Sequence, residues 1–122
     1  AKINQAKLIT QLGNNIDWDL LSNTTKINLY RILQECLQNI NKYANAKTIN
    51  IEFKKDSNEN LMLTIVDDGE GFDLNMKSKG IGMKNMVERT HESDGTIEIK
   101  SEKNKGTQVL VVVPLENKTI KV

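Results

Sequence analysis

The 122-residue sequence has one cysteine, one proline, one histidine and few aromatic rings, and each scarcity excludes something. A lone cysteine, Cys36, cannot close an intrachain disulfide. It falls in a helical pattern, where a buried small apolar side chain is its expected role and a reactive thiol the alternative. Aromatic residues at 4% leave too few rings for a stacking platform on single-stranded nucleic acid. A net charge of +1 supplies no field to hold nucleic acid or an acidic membrane surface, so neither is expected as a direct partner. No apolar run is long enough to span a bilayer. Glycine is scarce too, but four of the seven stand in two short motifs, at Gly69, Gly71, Gly80 and Gly82.

What is present is an ordinary globular composition, 38% hydrophobic and 27% charged, in a length that suits one domain with a real core. The chain opens on Ala1 rather than methionine and is expected to be a fragment of something larger. Lys7–Leu12 reads as a short strand, with a turn at Gly13-Asn14-Asn15. Ser22, Asn23 and Thr24 are candidate N-caps for a helix over residues 25–44. Its Tyr30, Leu33, Leu37, Ile40 and Ala44 recur at spacings of three and four, an apolar stripe expected to face the core. Alternation over residues 48–53 and the apolar run 61–66 predict a hairpin turned at Asp56-Ser57-Asn58. Residues 73–80 carry no periodicity and read as a loop, before a second helix over 82–92 that ends at Asp94-Gly95. Residues 96–101 and 108–113 predict a second hairpin, its last strand central and ended by Pro114. Five strands and two helices with local hairpins pack most economically as an α+β two-layer sandwich, helices on one face of a mixed, mostly antiparallel sheet.

The chemistry gathers at three places. The strand 61–66 delivers Asp67 and Asp68 and then Gly69 and Gly71, so that a carboxylate stands beside bare backbone. A strand followed by a plain Asp-Gly turn and a site for a flat or phosphorylated ligand with an amine to donate are both open at this point. On the first helix Arg31, Glu35, Asn39 and Lys42 fall within about a quarter-turn of one another, with Tyr43 at the trailing edge. A solvated polar face is one reading. The other uses the Asn39 amide oxygen as a ligand for Mg²⁺, Lys42 against phosphate charge, and Glu35 to orient or deprotonate a nucleophile. The third place is Gly80-Ile81-Gly82, which is neither a Rossmann fingerprint nor a phosphate loop but a glycine pair at a helix N-terminus, suited to an anion or to hinging a loop. Gly106-Thr107 opens the last strand, where the Thr107 hydroxyl is a turn feature or a second contact beside Asp67.

In this order the pieces resemble the ATP-binding domain of the gyrase, Hsp90, histidine kinase and MutL superfamily, most nearly the catalytic domain of bacterial sensor histidine kinases. Leu29-Tyr30-Arg31-Ile32-Leu33-Gln34-Glu35 through Asn39, with Lys42-Tyr43-Ala44, resembles the N box. Asp67-Asp68-Gly69-Glu70-Gly71-Phe72-Asp73 resembles the G1 box, and Gly80-Ile81-Gly82-Met83-Lys84-Asn85-Met86 with Val87-Glu88-Arg89 the G2 box. The motifs span about residues 25–115 of a single domain over 1–122.

The resemblance implies a Bergerat-type fold and the cofactors ATP and Mg²⁺. It implies that Asn39 holds the metal, that Lys42 and Tyr43 lie near phosphates or ribose, and that Asp67, backed by Thr107, accepts from the adenine amine. Gly69 and Gly71 would admit the base, and Gly80 and Gly82 would let a lid over 73–80 close on the phosphates. Glu35 carries over as catalytic base or as a positioning group. The implied activity is transfer of the γ-phosphoryl to a histidine outside this chain, in the dimerisation domain of a homodimeric parent, for relay to a response regulator. The implied place is the cytoplasmic part of a parent that could itself be membrane-anchored. A serine kinase of the anti-sigma-factor type and a nucleotide-gated ATPase switch are the alternatives on the same fold. Three positions depart from the pattern: Cys36 for a common alanine, Tyr43 for histidine and Asp94 for a frequent glycine. His91, followed by Glu92, is read as a surface residue rather than a phosphoacceptor.

Overall fold

Burial at every second residue marks the strands, and burial at three- and four-residue spacings marks the helices. The computed structural model describes residues 6–41, 46–70 and 80–115, with 80–82 described by backbone alone. Along them run β1 (Lys7–Leu12), α1 (Asn23–Asn39), β2 (Thr48–Lys55), β3 (Asn60–Asp67), α2 (Gly80–Glu92), β4 (Thr96–Ser101) and β5 (Thr107–Pro114). A single 3-10 turn, Trp18–Leu20, precedes α1, and the Trp18 ring meets Phe53 edge-on at 5.4 Å. No described helix is long and apolar enough to cross a membrane.

The five strands form one sheet in the order β1-β2-β3-β5-β4. β1 pairs with β2 in parallel, and every other pairing is antiparallel, so the two expected hairpins and the mixed sheet are both present. Leu61, Leu63 and Ile65 of β3 and Val109, Val111 and Val113 of β5 are buried on one face, under the two helices. β5 lies inside the sheet, as its run of valines requires. Pro114 is its last residue, where a missing N–H does least harm.

Ser22 caps α1, its hydroxyl accepting from the Thr25 N–H at 3.1 Å. The expected apolar stripe is rotated. The helix face turned to the sheet carries Leu29, Ile32, Cys36 and Ile40, whereas Tyr30 is 60% exposed and Leu33 and Leu37 are half-buried. Apolar residues cover so much of this helix that their spacing alone does not say which edge of the band meets the sheet. Ala44 lies outside the described residues, as do Lys42 and Tyr43. The second helix begins two residues earlier than expected, so Gly80 belongs to its first turn and not to a loop. Residues 71–79, which hold Gly71 and the rest of the expected lid, lie outside the description. His91 is exposed.

Cys36 is buried, with its Sγ 3.4 Å from Met86 Sδ across the seam between the helices. Burial, followed by the charge of Glu35, pushes its thiol up to about 12. At pH 8 only about one thiol in ten thousand is then ionised. Native protein is therefore expected to stay unlabelled by a disulfide reagent for as long as it stays folded, with full reaction in urea. Rapid labelling of folded protein would contradict this burial.

The end of α2 explains one departure from the family pattern. Asp94 has φ 58°, its N–H donates to the His91 carbonyl at 3.0 Å, and Gly95 N–H donates to Thr90 O at 2.9 Å. The exposed Asp94 thus stands in the left-handed position that ends a helix, where a Cβ is penalised and a negative charge opposes the helix dipole. Asp94→Gly is expected to stabilise the domain by about 0.5–1 kcal/mol in urea denaturation.

Candidate functional site

The last residue of β3 decides the site's geometry. Strand parity turns Asp67 to the same face as Leu61, Leu63 and Ile65, and it is only 4% exposed. Its two carboxyl oxygens have different surroundings. Oδ1 accepts the Gly69 N–H at 2.7 Å, which closes the turn after β3. Oδ2 is buried with no hydrogen-bond partner among the described residues. Burial raises the pKa of Asp67 above its ordinary value, and the neighbouring charge of Asp68 adds to this. The Gly69 N–H and the facing hydroxyl and amide of Thr107 pull the other way. Neither Thr107 group reaches hydrogen-bonding geometry with Oδ2, and the Thr107 hydroxyl pairs instead with Ser101 Oγ at 2.9 Å. An orphaned acceptor inside a protein is expensive unless a ligand completes it.

Asp68, one residue on, has a structural task. Its Oδ1 accepts the N–H groups of Lys47 and Thr48 at 2.8 and 2.9 Å, pinning the start of β2 to the end of β3. Those two amides, Thr48 first, hold its carboxyl below the usual carboxylate range. Although adjacent in sequence, the two aspartates have separate tasks, because successive residues point to opposite sides of a strand.

Pairing in register places Thr107 of β5 beside Asp67 of β3, and Ser101 of β4 beside Thr107. A row of three oxygen-bearing side chains therefore crosses the end of the sheet. Gly106 makes this row possible. It has φ 82°, and a Cβ there would stand 2.2 Å from the Asp67 carbonyl oxygen. Asn104 also donates its N–H to the Glu70 carbonyl, tying the β4–β5 turn to the segment that follows Asp67. Sequence reasoning missed Ser101 and the tight role of Gly106. The available signal was their symmetric placement at the mouth of the second hairpin.

Asn39, at the end of α1, lines a narrow apolar crevice of about 10 Å³ with Cys36, Met83, Ile99, Thr107 and Val109. Thr107 thus belongs both to this crevice and to the row beside Asp67. A wider hollow of about 510 Å³ also touches Asp67 and Thr107 but opens around the β4 edge, past Lys100, Glu102 and Lys105. The crevice lies between helix and sheet and reaches the Asp67 row only through Thr107. Glu35 lies elsewhere, lining a polar groove between α1 and α2 with Arg31 and Arg89. Gly69 stands at the turn, and Gly80 and Gly82 at the start of α2. Lys42, Tyr43 and Gly71 fall outside the described residues.

The donor set restricts what metal could bind. No group of three or more His, Cys, Asp or Glu that could hold a metal occurs among the described residues. The Asn39 amide oxygen suits a hard cation only as one ligand among several, the remainder being water and oxygens brought by a ligand such as phosphate.

Residues 24–117 match the family described as histidine kinase-, DNA gyrase B- and HSP90-like ATPase. The sensor histidine kinase YdfH of Bacillus subtilis (strain 168) is 41% identical over 95 residues, covering 75% of this chain and 23% of that protein. The sensor histidine kinase LiaS of the same organism is 33% identical over 106 residues, covering 83% of this chain and 29% of that protein. The chain therefore spans between 23% and 29% of the length of these relatives. Among solved structures, the blue-light activated histidine kinase EL346 of Erythrobacter litoralis superposes with a TM-score of 0.77 at 18% identity. That match covers 96% of this chain and 37% of that one, a likeness of fold. The matched span, residues 24–117, makes this chain a member of the histidine kinase-, DNA gyrase B- and HSP90-like ATPase family.

Proposed function

We propose that the domain binds ATP with Mg²⁺ and presents the γ-phosphoryl group to a histidine on another segment of its parent protein, for relay to an aspartate of a response regulator. The orphaned Oδ2 of Asp67 carries this reading. A carboxylate only accepts hydrogen bonds, so it takes the amine of adenine and rejects the carbonyl of guanine. Asn39 would supply one oxygen to the metal, with Lys42, Tyr43, Gly71 and the N-terminus of α2 around ribose and phosphates. Thr107 would support the Asp67 end, and Gly69 would keep the turn beside it open. Bound Mg²⁺ supplies charge neutralisation on the phosphates. In the transfer the bond from the γ-phosphorus to the bridging oxygen breaks, a P–N bond to imidazole forms, ADP leaves and the imidazole N–H proton is released. Glu35, in the groove between α1 and α2, would orient the imidazole N–H or take its proton. Positioning and electrostatics dominate such a reaction.

The names of the two Bacillus relatives favour a histidine acceptor over a serine acceptor or an ATPase switch. Calorimetry with a non-hydrolysable ATP analogue and Mg²⁺, beside GTP, tests the nucleotide. Transfer of labelled phosphate to the parent's own helical segment, and its acid lability, tests the acceptor. Acid-stable label would point to serine, and no binding in folded protein would overturn the reading.

A further inference from the structure

We propose that the groove between α1 and α2 is a second anion subsite, one that holds a phosphoryl group away from the Asp67 end of the site. The groove has a volume of about 370 Å³ and is lined by Arg31, Gln34, Glu35 and Gln38 of α1 and by Asn85 and Arg89 of α2. Two guanidinium groups thus face one carboxylate across a concave, polar surface. Neither arginine makes an ion pair among the described residues, where the pairs are Lys55–Glu59 and Lys105–Glu102. Guanidinium groups match phosphoryl oxygens in pairs, and the amides of Gln34, Gln38 and Asn85 can complete the shell.

Arg89 is also held in place, and the means is unusual. Its Nη1 donates to Asn28 Oδ1 at 3.3 Å, and Asn28 Nδ2 donates to Ser93 Oγ at 3.0 Å. Asn28 is only 3% exposed and Ser93 6%. Burying an asparagine has a desolvation cost that an apolar side chain would avoid. Here the buried amide joins α1 to the end of α2 and orients a guanidinium at the groove, the kind of supporting shell that a binding group needs. Glu35 discriminates among anions. Its carboxylate repels the greater negative charge of inorganic phosphate, whereas it accepts a hydrogen bond from the amine of phosphoramidate or from the unphosphorylated ring N–H of phosphohistidine.

The subsite rests on the proposed phosphoryl transfer only for the origin of its ligand, which is either the γ-phosphate of ATP or a phosphorylated imidazole. The probes are inorganic phosphate and phosphoramidate, titrated into the chain saturated with ADP and followed by the Nε–H resonances of Arg31 and Arg89. We expect both resonances to move at millimolar concentrations, with phosphoramidate the tighter ligand. Arg31→Gln and Arg89→Gln should each weaken binding at least tenfold, whereas Glu35→Gln should tighten inorganic phosphate several-fold. Arg31 is exposed, so its variant tests the site even where loss of the Asn28 contact disturbs the fold of the other. If a non-hydrolysable ATP analogue displaces phosphate from the arginines, the γ-phosphate is the source. If phosphate still binds beside the analogue, a phosphorylated acceptor is the source, and either result supports the subsite. Unmoved arginine resonances, or affinities that the arginine variants leave unchanged, would overturn it. Failure of ADP to bind would instead count against the nucleotide reading, and phosphate could still be titrated alone.

Discussion

Asp67→Asn is expected to remove adenine-nucleotide binding and, in the same protein, to raise the unfolding temperature measured without nucleotide at pH 7. The first effect follows from the split environment of the carboxyl group. Oδ1 is committed to the Gly69 N–H, so an asparagine that keeps this contact turns its NH₂ to the place of Oδ2. A donor then faces the adenine amine, itself a donor, and the loss should exceed about 100-fold in affinity, about 3 kcal/mol. The second effect follows from linkage. Burial raises the native pKa of Asp67, so folded protein keeps this proton to a higher pH than unfolded protein does. Raising the pH from the ordinary aspartate range through the native value therefore favours the unfolded chain, and the unliganded domain is less stable at neutral pH than it would be with a neutral side chain. The asparagine variant should lose this falling limb of its stability-against-pH curve. A variant that binds the nucleotide normally, or that is destabilised without it, would show that Oδ2 has a partner inside the protein.

Among Gly13, Gly95 and Gly106, the last should tolerate an added methyl group least, in Gly106→Ala. The glycine has φ 82°, and a Cβ there would lie 2.2 Å from the Asp67 carbonyl oxygen and 3.2 Å from its carbon. Both obstacles are backbone, which cannot rotate away as a side chain does. Left-handed strain contributes about 1–2 kcal/mol. Forced repacking adds roughly 1–3 kcal/mol, a large part of what holds a small domain together. Urea denaturation should show a loss of about 2–5 kcal/mol, and the protein that remains folded should bind nucleotide weakly because Asp67 has been pushed from its place. Asn104, at φ 67° in the same turn, provides the contrast, since asparagine tolerates that conformation. An alanine at position 106 that leaves the midpoint unchanged would refute the close approach of the turn to β3.

Strand and hairpin reading succeeded because its signals are local. Alternation in β2 and β3, and the turn residues between them, act over a few neighbours, and Cys36 could be assigned to the interior from its helical context alone. The phase of α1 was not legible, since Tyr30, Leu33 and Leu37 form as regular a stripe as Leu29, Ile32 and Cys36, and only the sheet decides between them. The site was legible in part. Asp67 and Thr107 stand out as types at the ends of strands, but the separate task of Asp68 depends on where β2 begins, and the place of Ser101 depends on the register between β4 and β5. The pair Asn28–Ser93 spans 65 positions, and no periodicity within either helix announces it.

The direction of the strands has a mechanical consequence. β1, β2 and β5 run the same way, so the chain enters β1 at the end of the sheet where Asp67 lies and leaves β5 at the opposite end. Tension between Lys7 and Pro114 would stretch the sheet lengthwise and load the six residue pairs of the β1–β2 ladder together in shear, not peel them apart singly. At the loaded end Lys7 N–H holds the Lys47 carbonyl at 2.8 Å, and Lys47 N–H holds the carboxylate of Asp68 at 2.8 Å. The group that would sense the base is thus two hydrogen bonds and one peptide unit from the point where such a load arrives.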